Sequence, residues 1–511
     1  MELVKRNIHM DCPKCRASMQ TTLEKDINIS DLKPDALKLI MDRGNVVIEE
    51  VKVTDDHVNV KGKLQFHILY LAEGNKVNAA AMEGELPFEE QIYMDGVKNG
   101  DDVRVNVEIE DLTTTMINSR KFSIQSLLLL KASCDEIRDE ETAVDIAGND
   151  PVEFRKKTLP IASMVMKKKD IFRVKEEVEI PGSFPNIFSM IWWDIEPSEV
   201  EFKILQDKIS VQGEIRTFFI YKGEGEEEEI CHYESAMPFA GTIDCDGAME
   251  GMIPEISCHA ESREVTVRPD FDGEERVITF ELVLNLDICA YEEAQIDILS
   301  DVYGVVNETM VTEKEASLRR FLGRSNGKMK LAEHYKIEEE SQISKILHTS
   351  GNLQIADTAI TEGGIMVTGT VNLQILYAGS SFGNMRVSLP FAYTIEAEGI
   401  DKDCVYPVKA DVEQIAVSII DTNEIDVKCV LFFRTNIYRE WKERIVEEIT
   451  TSELDSEKMD SLPGIAIYVV REGESLWDIG KRYYVPISAI KQVNELTSDE
   501  VKAGERILIM R

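Results

Sequence analysis

The 511-residue chain has no stretch approaching 18 uninterrupted apolar residues, the length a membrane-spanning helix needs. Its richest apolar runs, Leu127 to Leu130 and Ile187 to Trp193, suit a strand or a core segment. Met1 to Cys15 is polar and lacks the apolar region of a secretory signal. Cations are scarce: 57 Lys and Arg stand against 95 Asp and Glu, a net charge of −38. Most of such a surface repels nucleic-acid backbones and anionic membranes. The short basic run Lys167 to Lys169 reads as a solvated face. The nine cysteines are odd in number and irregularly spaced. This argues against a disulfide framework and for buried free thiols in a reducing compartment, by default the cytosol. What remains is ordinary globular composition, 43% apolar and 30% charged, in a chain long enough for three or four domains.

Catalytic signatures are also missing. Neither GxSxG nor HExxH occurs. Gly323 to Lys328 has three residues between its glycines where a phosphate loop has four, and no Ser or Thr follows the lysine. Cys12-Pro-Lys-Cys15 is half of a zinc ribbon, with His9 nearby and no second pair. Structural zinc needs four ligands, so a weakly structured tail is the reading and a dimeric zinc site the alternative. His232 and His259, near Cys231 and Cys258, read as structural residues. Carboxylates are too abundant for a catalytic pair to be chosen. No catalytic residue, metal ligand or cofactor is assigned. An enzyme hidden in one of the domains would require a concave pocket with clustered titratable groups.

What is present is a repeat. Val60-Lys-Gly-Lys-Leu-Gln-Phe-His-Ile-Leu-Tyr70, Val211 to Tyr221 and Val367 to Tyr377 align, each with Gly at its third position and Tyr eight residues later. The glycines, Gly62, Gly213 and Gly369, are 151 and 156 residues apart, so the repeats are domain-sized. In the first copy Val58, Val60, Gly62, Leu64, Phe66, Ile68 and Tyr70 share one face, the alternation of a half-buried strand. A glycine on that face marks a bulge or a close approach by another backbone. Leu86-Pro87-Phe88, Met237-Pro238-Phe239 and Leu389-Pro390-Phe391 form a second marker. Between the two markers, Glu224 to Glu229 reads as a solvated hairpin tip. Alternating segments from Phe122, Val277 and Ile425 form a third. Each copy thus reads as several strands with little helix, folded as a β-sandwich-like or barrel-like unit.

The predicted organisation is a tail over 1–20, repeats over 21–150, 151–305 and 306–450, a linker over 451–464 and a small module over 465–511. Asp135 to Asp150 and Val306 to Lys330 read as linkers, with a possible helix over Glu313 to Leu322.

The last module reads as strand, helix, helix, strand. Ser475 can cap the first helix with Asp478 as capping-box partner. Leu476, Ile479 and Tyr483 fall at helical spacing. Pro486 permits a second helix from about Ser488, with Ile490 and Val493 inward. Between Ile465 and Arg511 seven cationic and seven acidic residues cancel, so the whole −38 belongs to the rest of the chain. Tyr468, Val470, Gly473, Glu474, Ser475, Leu476, Ile479, Asn494 and Gly504 match the pattern of a LysM domain, which this module closely resembles. LysM domains usually hold N-acetylated glycans in a shallow groove. The resemblance therefore implies a partner- or glycan-binding site at Gly473, Glu474, Ser475 and Leu476 and at Asn494, Glu495 and Leu496. For Gly473, Ser475 and Asn494, helix capping and turn closure are the competing role. Trp477 is an additional candidate: as an exposed anchor, or as a partly buried core residue.

Three such repeats followed by LysM resemble the SPOCS-domain spore coat morphogenetic proteins of endospore-forming bacteria. Ile180-Pro-Gly-Ser-Phe-Pro185 resembles the start of a SPOCS unit, and Ile29 to Pro34 is a weaker version. The resemblance implies a non-enzymatic scaffold in the mother-cell cytoplasm, at the forespore surface. It implies binding to the coat-basement ATPase SpoIVA, partly through LysM, and a role in coat encasement. The alternative is a protein of the cortex or cell wall that binds peptidoglycan or N-acetylglucosamine through LysM.

Overall fold

The computed structural model describes residues 2–73, 78–148, 150–225, 229–337, 343–379, 382–454 and 462–511. Residues 226–228 of the expected acidic hairpin tip and 455–461 of the expected linker lie outside them. Strand dominates, as the alternating pattern predicts. The first repeat contains β1 (Glu2–Asn28), β2 (Ala36–Thr54), β3 (His57–Ala72), β4 (Asn78–Tyr93), β5 (Val103–Asn118) and β6 (Lys121–Ala147). The second contains β7 (Val152–Glu179), β8 (Ile187–Leu205), β9 (Lys208–Gly223), β10 (Ile230–Asp244), β11 (Ile253–Pro269) and β12 (Glu275–Gly304). The third contains β13 (Asn307–Lys336), β14 (Lys345–Thr361), β15 (Gly364–Ala378), β16 (Phe382–Glu396), β17 (Cys404–Val405), β18 (Val408–Asp421) and β19 (Glu424–Glu453).

Each repeat is two antiparallel sheets packed face to face. In the first, β2-β3-β4 lies over β1-β6-β5, and the other two follow the same plan. The sequence markers meet in these sandwiches. Gly62 pairs with Phe88, Gly213 with Phe239 and Gly369 with Phe391. The phenyl ring lies over the glycine: a Cβ there would come within 2.8, 2.8 and 2.7 Å of the ring. The glycines are therefore sites of close approach, where a missing side chain makes room for a cross-strand aromatic ring. The marker tyrosines do a second job. Tyr70 donates its hydroxyl to the Pro34 carbonyl at 3.1 Å and Tyr221 to that of Pro185 at 3.2 Å. Each thus pins the loop between the first two strands of its repeat.

The outer strands run beyond the sandwiches. Glu2–Pro13 with Asp135–Ala147, Val152–Met164 with Tyr291–Gly304, and Asn307–Phe321 with Tyr438–Glu453 form three two-stranded ribbons. Ile8, Leu159, Ile161, Ile298, Leu318 and Ile445 from all three close a shared apolar stem. This corrects the reading of 1–20 as a tail and of Asp135–Asp150 and Val306–Lys330 as linkers. Glu313–Leu322 is strand, not helix, with Ala316 and Leu318 facing the stem. Only one face of each ribbon is buried, so half its residues are polar and its composition imitates a linker.

The sandwiches also pack on one another in a closed ring about a pseudo-threefold axis. His67, Phe218 and Gln374 stand five residues after the three marker glycines. His67 stacks on Trp192 of the second repeat, with ring centroids 4.4 Å apart. Phe218 stacks on His348 of the third at 4.2 Å. Gln374 donates to the Asp42 carbonyl of the first at 3.3 Å. Each head-to-tail contact is heterologous, and three of them close the circle. Ile40, Ile191 and Leu347 fill the apolar centre.

Ion pairs stitch the same seams. Arg43 binds Asp194 and Glu196 across the first seam, and His348 Nε2 lies 3.0 Å from Asp194 across the second. Arg386 reaches back to Asp42. Burial alone would raise the Asp194 pKa, but Arg43, His348 and Arg263 together outweigh it and hold the carboxyl well below the usual range. Burial, aided by Arg43, drives His67 down to about 4. Glu83 lies 3.1 Å from His67 Nε2, at an angle that makes no hydrogen bond and leaves burial in control.

Candidate functional site

The C-terminal module contains β20 (Ile465–Val469), α1 (Leu476–Tyr483), α2 (Ile487–Val493) and β21 (Arg506–Met510). Its core is small: Val470, Leu476, Ile479, Val485, Ile490, Ile507 and Ile509. Ser475 caps α1 with the expected capping box: its hydroxyl accepts from the Asp478 N–H, and the Asp478 carboxylate accepts from the Ser475 N–H at 2.9 Å. The second helix starts one residue earlier than expected. Ile490 faces inward, whereas Val493 is 36% exposed.

The candidate residues divide by role. Gly473, at φ +82°, makes the turn that a side chain would strain. Glu474 accepts from the Tyr468 hydroxyl at 2.6 Å, from the Arg471 N–H at 3.0 Å and from Arg482 at 2.8 Å. These bonds, Tyr468 first, hold its pKa down to about 2. Leu476 is fully buried, and Leu496 packs at the edge of the core. Asn494 acts as a substitute strand: Nδ2 donates to the Leu508 carbonyl and Oδ1 accepts from the Leu508 N–H, both at 2.7 Å. Glu495 is exposed, at φ +54°.

Trp477 is 6% exposed, which corrects its reading as an exposed anchor. Its indole N–H donates to Asp301 of the second repeat at 2.7 Å.

Two features of the module were not apparent from its sequence. An open cleft of about 840 Å3 is lined by Glu474, Ser475, Ser498, Asp499, Glu500, Val501, Lys502 and Glu505. It shares the 474–475 loop with the expected groove but turns toward 498–505 instead of 494–496. The only hint in the sequence is the acidic pair Asp499-Glu500. On the outer face of the two-stranded sheet, Ile465, Ile467, Val469 and Met510 are 46–70% exposed. Alternation marks this strand, but an apolar residue at every outward position cannot be told from a core position without the fold.

Elsewhere, Cys15 stands opposite Cys134 in the strand pair, and His9 contacts Asp139 at 2.5 Å. Among the described residues no group of three potential ligands surrounds a metal position. No described helix is long and apolar enough to cross a membrane.

Comparison with known families follows this division. The family described as SipL, SPOCS domain matches residues 35–117, 186–268 and 342–420. The LysM domain family matches 468–509. The chain thus carries three SPOCS domains and a C-terminal LysM domain. Its domain order is that of a SPOCS/LysM spore coat protein like SipL. Each SPOCS match spans the middle strands of a repeat, four in β2–β5 and in β8–β11 and five in β14–β18, where the short β17 is added, and leaves the long ribbon strands outside. SPOCS and LysM are non-catalytic binding domains, and together they fit a coat-associated protein of sporulation with a peptidoglycan-binding-like module. Neither the curated proteins nor the solved structures yielded a match.

Proposed function

We propose that this SPOCS/LysM chain is a non-enzymatic scaffold of spore coat assembly. It works in the mother-cell cytoplasm at the forespore surface. Its LysM domain binds the coat-basement ATPase SpoIVA, and that contact promotes encasement. The observation that carries this reading is the exposed apolar strip Ile465, Ile467, Val469 and Met510 on the outer face of the LysM sheet. An apolar surface of this kind suits a protein partner, which can cover it, better than a hydrated sugar. The nine free cysteines agree with a reducing cytoplasm. Several weak contacts on a polymerised partner would add by avidity.

The test is co-sedimentation of the purified chain with SpoIVA polymer. Ile467→Asp is expected to weaken capture at least tenfold while the unfolding midpoint of the repeats stays in place. Unaltered capture would remove the strip from the interface. The second reading, glycan binding, is favoured by the position of Glu474 and Ser475 in the cleft. Binding of the full chain to purified peptidoglycan, with none to SpoIVA, would replace the first reading by the second.

A further inference from the structure

The face of α1 turned away from the LysM core is also covered. Trp477, Gly480, Lys481 and Tyr484 recur at helical spacing and form a second stripe, opposite Leu476, Ile479 and Tyr483. Trp477, Gly480 and Lys481 rest on the far end of the second repeat's ribbon, and the Tyr484 hydroxyl donates to Glu308 of the third repeat at 3.5 Å. The Trp477 ring meets Tyr303 edge-on at 4.8 Å, and the Arg155 guanidinium lies 5.5 Å from its centre. Lys481 Nζ reaches both oxygens of Asp301, at 2.7 and 2.8 Å. The Tyr303 hydroxyl donates to the Val485 carbonyl at 2.9 Å, and Tyr303 is 2% exposed. Gly480 permits the approach: a Cβ there would sit 2.6 Å from the Tyr303 hydroxyl.

The pseudo-threefold axis shows why LysM sits at this place. Each ribbon carries a bulge near its far end, between Val4 and Lys5, Leu299 and Asp301, or Thr312 and Glu313. Counting from the bulge, Asp301 corresponds to Asp145 and Glu448, so all three ribbons offer a carboxylate. Tyr303 corresponds to Ala147 and Thr450, and Arg155, the cross-strand partner of Asp301, corresponds to Val4 and Thr312. The aromatic ring and the cation occur together in the second repeat alone.

We infer that the second repeat carries a dedicated seat for LysM, built by Arg155, Asp301 and Tyr303, and that Trp477 is a positioning residue which fixes LysM in one orientation instead of touching the partner. LysM is then a rigid, single head on a pseudo-threefold base. Its helix face is committed to the chain itself, and its cleft and apolar strip remain open. The consequence for partner capture rests on the SpoIVA reading above; the seat itself does not.

The test uses the full chain in two measurements. By hydrogen exchange, Asp301→Lys is expected to speed exchange across 476–485, with protection in β21 and in the central strands β3, β9 and β15 retained. Asp301→Lys with Lys481→Asp is expected to restore it in part. By co-sedimentation with SpoIVA polymer, Asp301→Lys is expected to weaken capture several-fold, and the double variant to recover. Unchanged exchange in Asp301→Lys would overturn the seat. Faster exchange with undiminished capture, alongside a Trp477→Ala variant that fails to capture, would overturn the positioning role. If a chain lacking 465–511 still captures SpoIVA fully, the SpoIVA reading fails, and the exchange experiment still decides the seat.

Discussion

Two charged contacts hold this molecule together at different depths. At the ring seam, Arg43 meets Asp194 within a cluster that includes His348, and the Asp194 side chain is 6% exposed. At the LysM seat, Lys481 meets Asp301 with side chains 44% and 20% exposed. The first pair lies beside stacked rings contributed by all three repeats. The second lies at the rim of a single helix face. Physical chemistry assigns them opposite characters: breaking a buried pair strands a charge, whereas an exposed pair contributes little beyond its geometry. The ring is therefore expected to behave as one obligate body, and the head as a seated but separable part.

The largest expected effect comes from breaking the seam. Asp194→Ala leaves Arg43 with the more exposed Glu196 alone and His348 without its carboxylate, and should cost up to about 3–5 kcal/mol, read as a lower denaturant midpoint for all three repeats together. Loss of the second and third repeats in separate transitions would contradict the closed ring.

Acid should attack the same seam. His67 takes a proton near 6.5 when unfolded but only near 4 in the ring. Between those values the unfolded chain binds more protons, so stability falls as pH drops from 6.5 toward 4, by at most about 3 kcal/mol. His67→Phe copies the residue found at the equivalent Phe218 and should remove that part of the acid sensitivity. An unaltered pH profile would show that the imidazole is not confined as the stacking on Trp192 implies.

Changes at the head should be smaller and local. Ser475→Ala removes the helix cap and should cost about 1 kcal/mol, seen in the melting of LysM without a shift in the repeats. Lys481→Ala should cost less than about 1 kcal/mol, and added salt should reduce that difference further. A Lys481→Ala effect as large as that of Asp194→Ala would erase the distinction between seam and seat.

Much of the local structure was legible because it follows from short-range pattern. Gly62, Gly213 and Gly369 stood on apolar faces, and each admits the phenylalanine of the Pro-Phe marker. The Ser475–Asp478 capping box was readable from spacing alone. The ribbons were not, because strands with one buried face near the stem carry the acidic, polar composition of linkers along Asp135–Ala147 and Asn307–Phe321. Ring closure was not either: His67 on Trp192 and Phe218 on His348 are contacts between residues more than a hundred positions apart, and no local period encodes them. Trp477 illustrates the same limit at the site. The sequence leaves it either an exposed anchor or a partly buried core residue, and only the fold supplies Asp301 and Tyr303 to receive it.

The most direct measurement is coat attachment in sporulating cells that make the chain without its last 47 residues, Ile465 to Arg511. The account predicts a stable ring that fails to gather at the forespore and a coat that fails to encase it. Normal encasement by the shortened chain would contradict it.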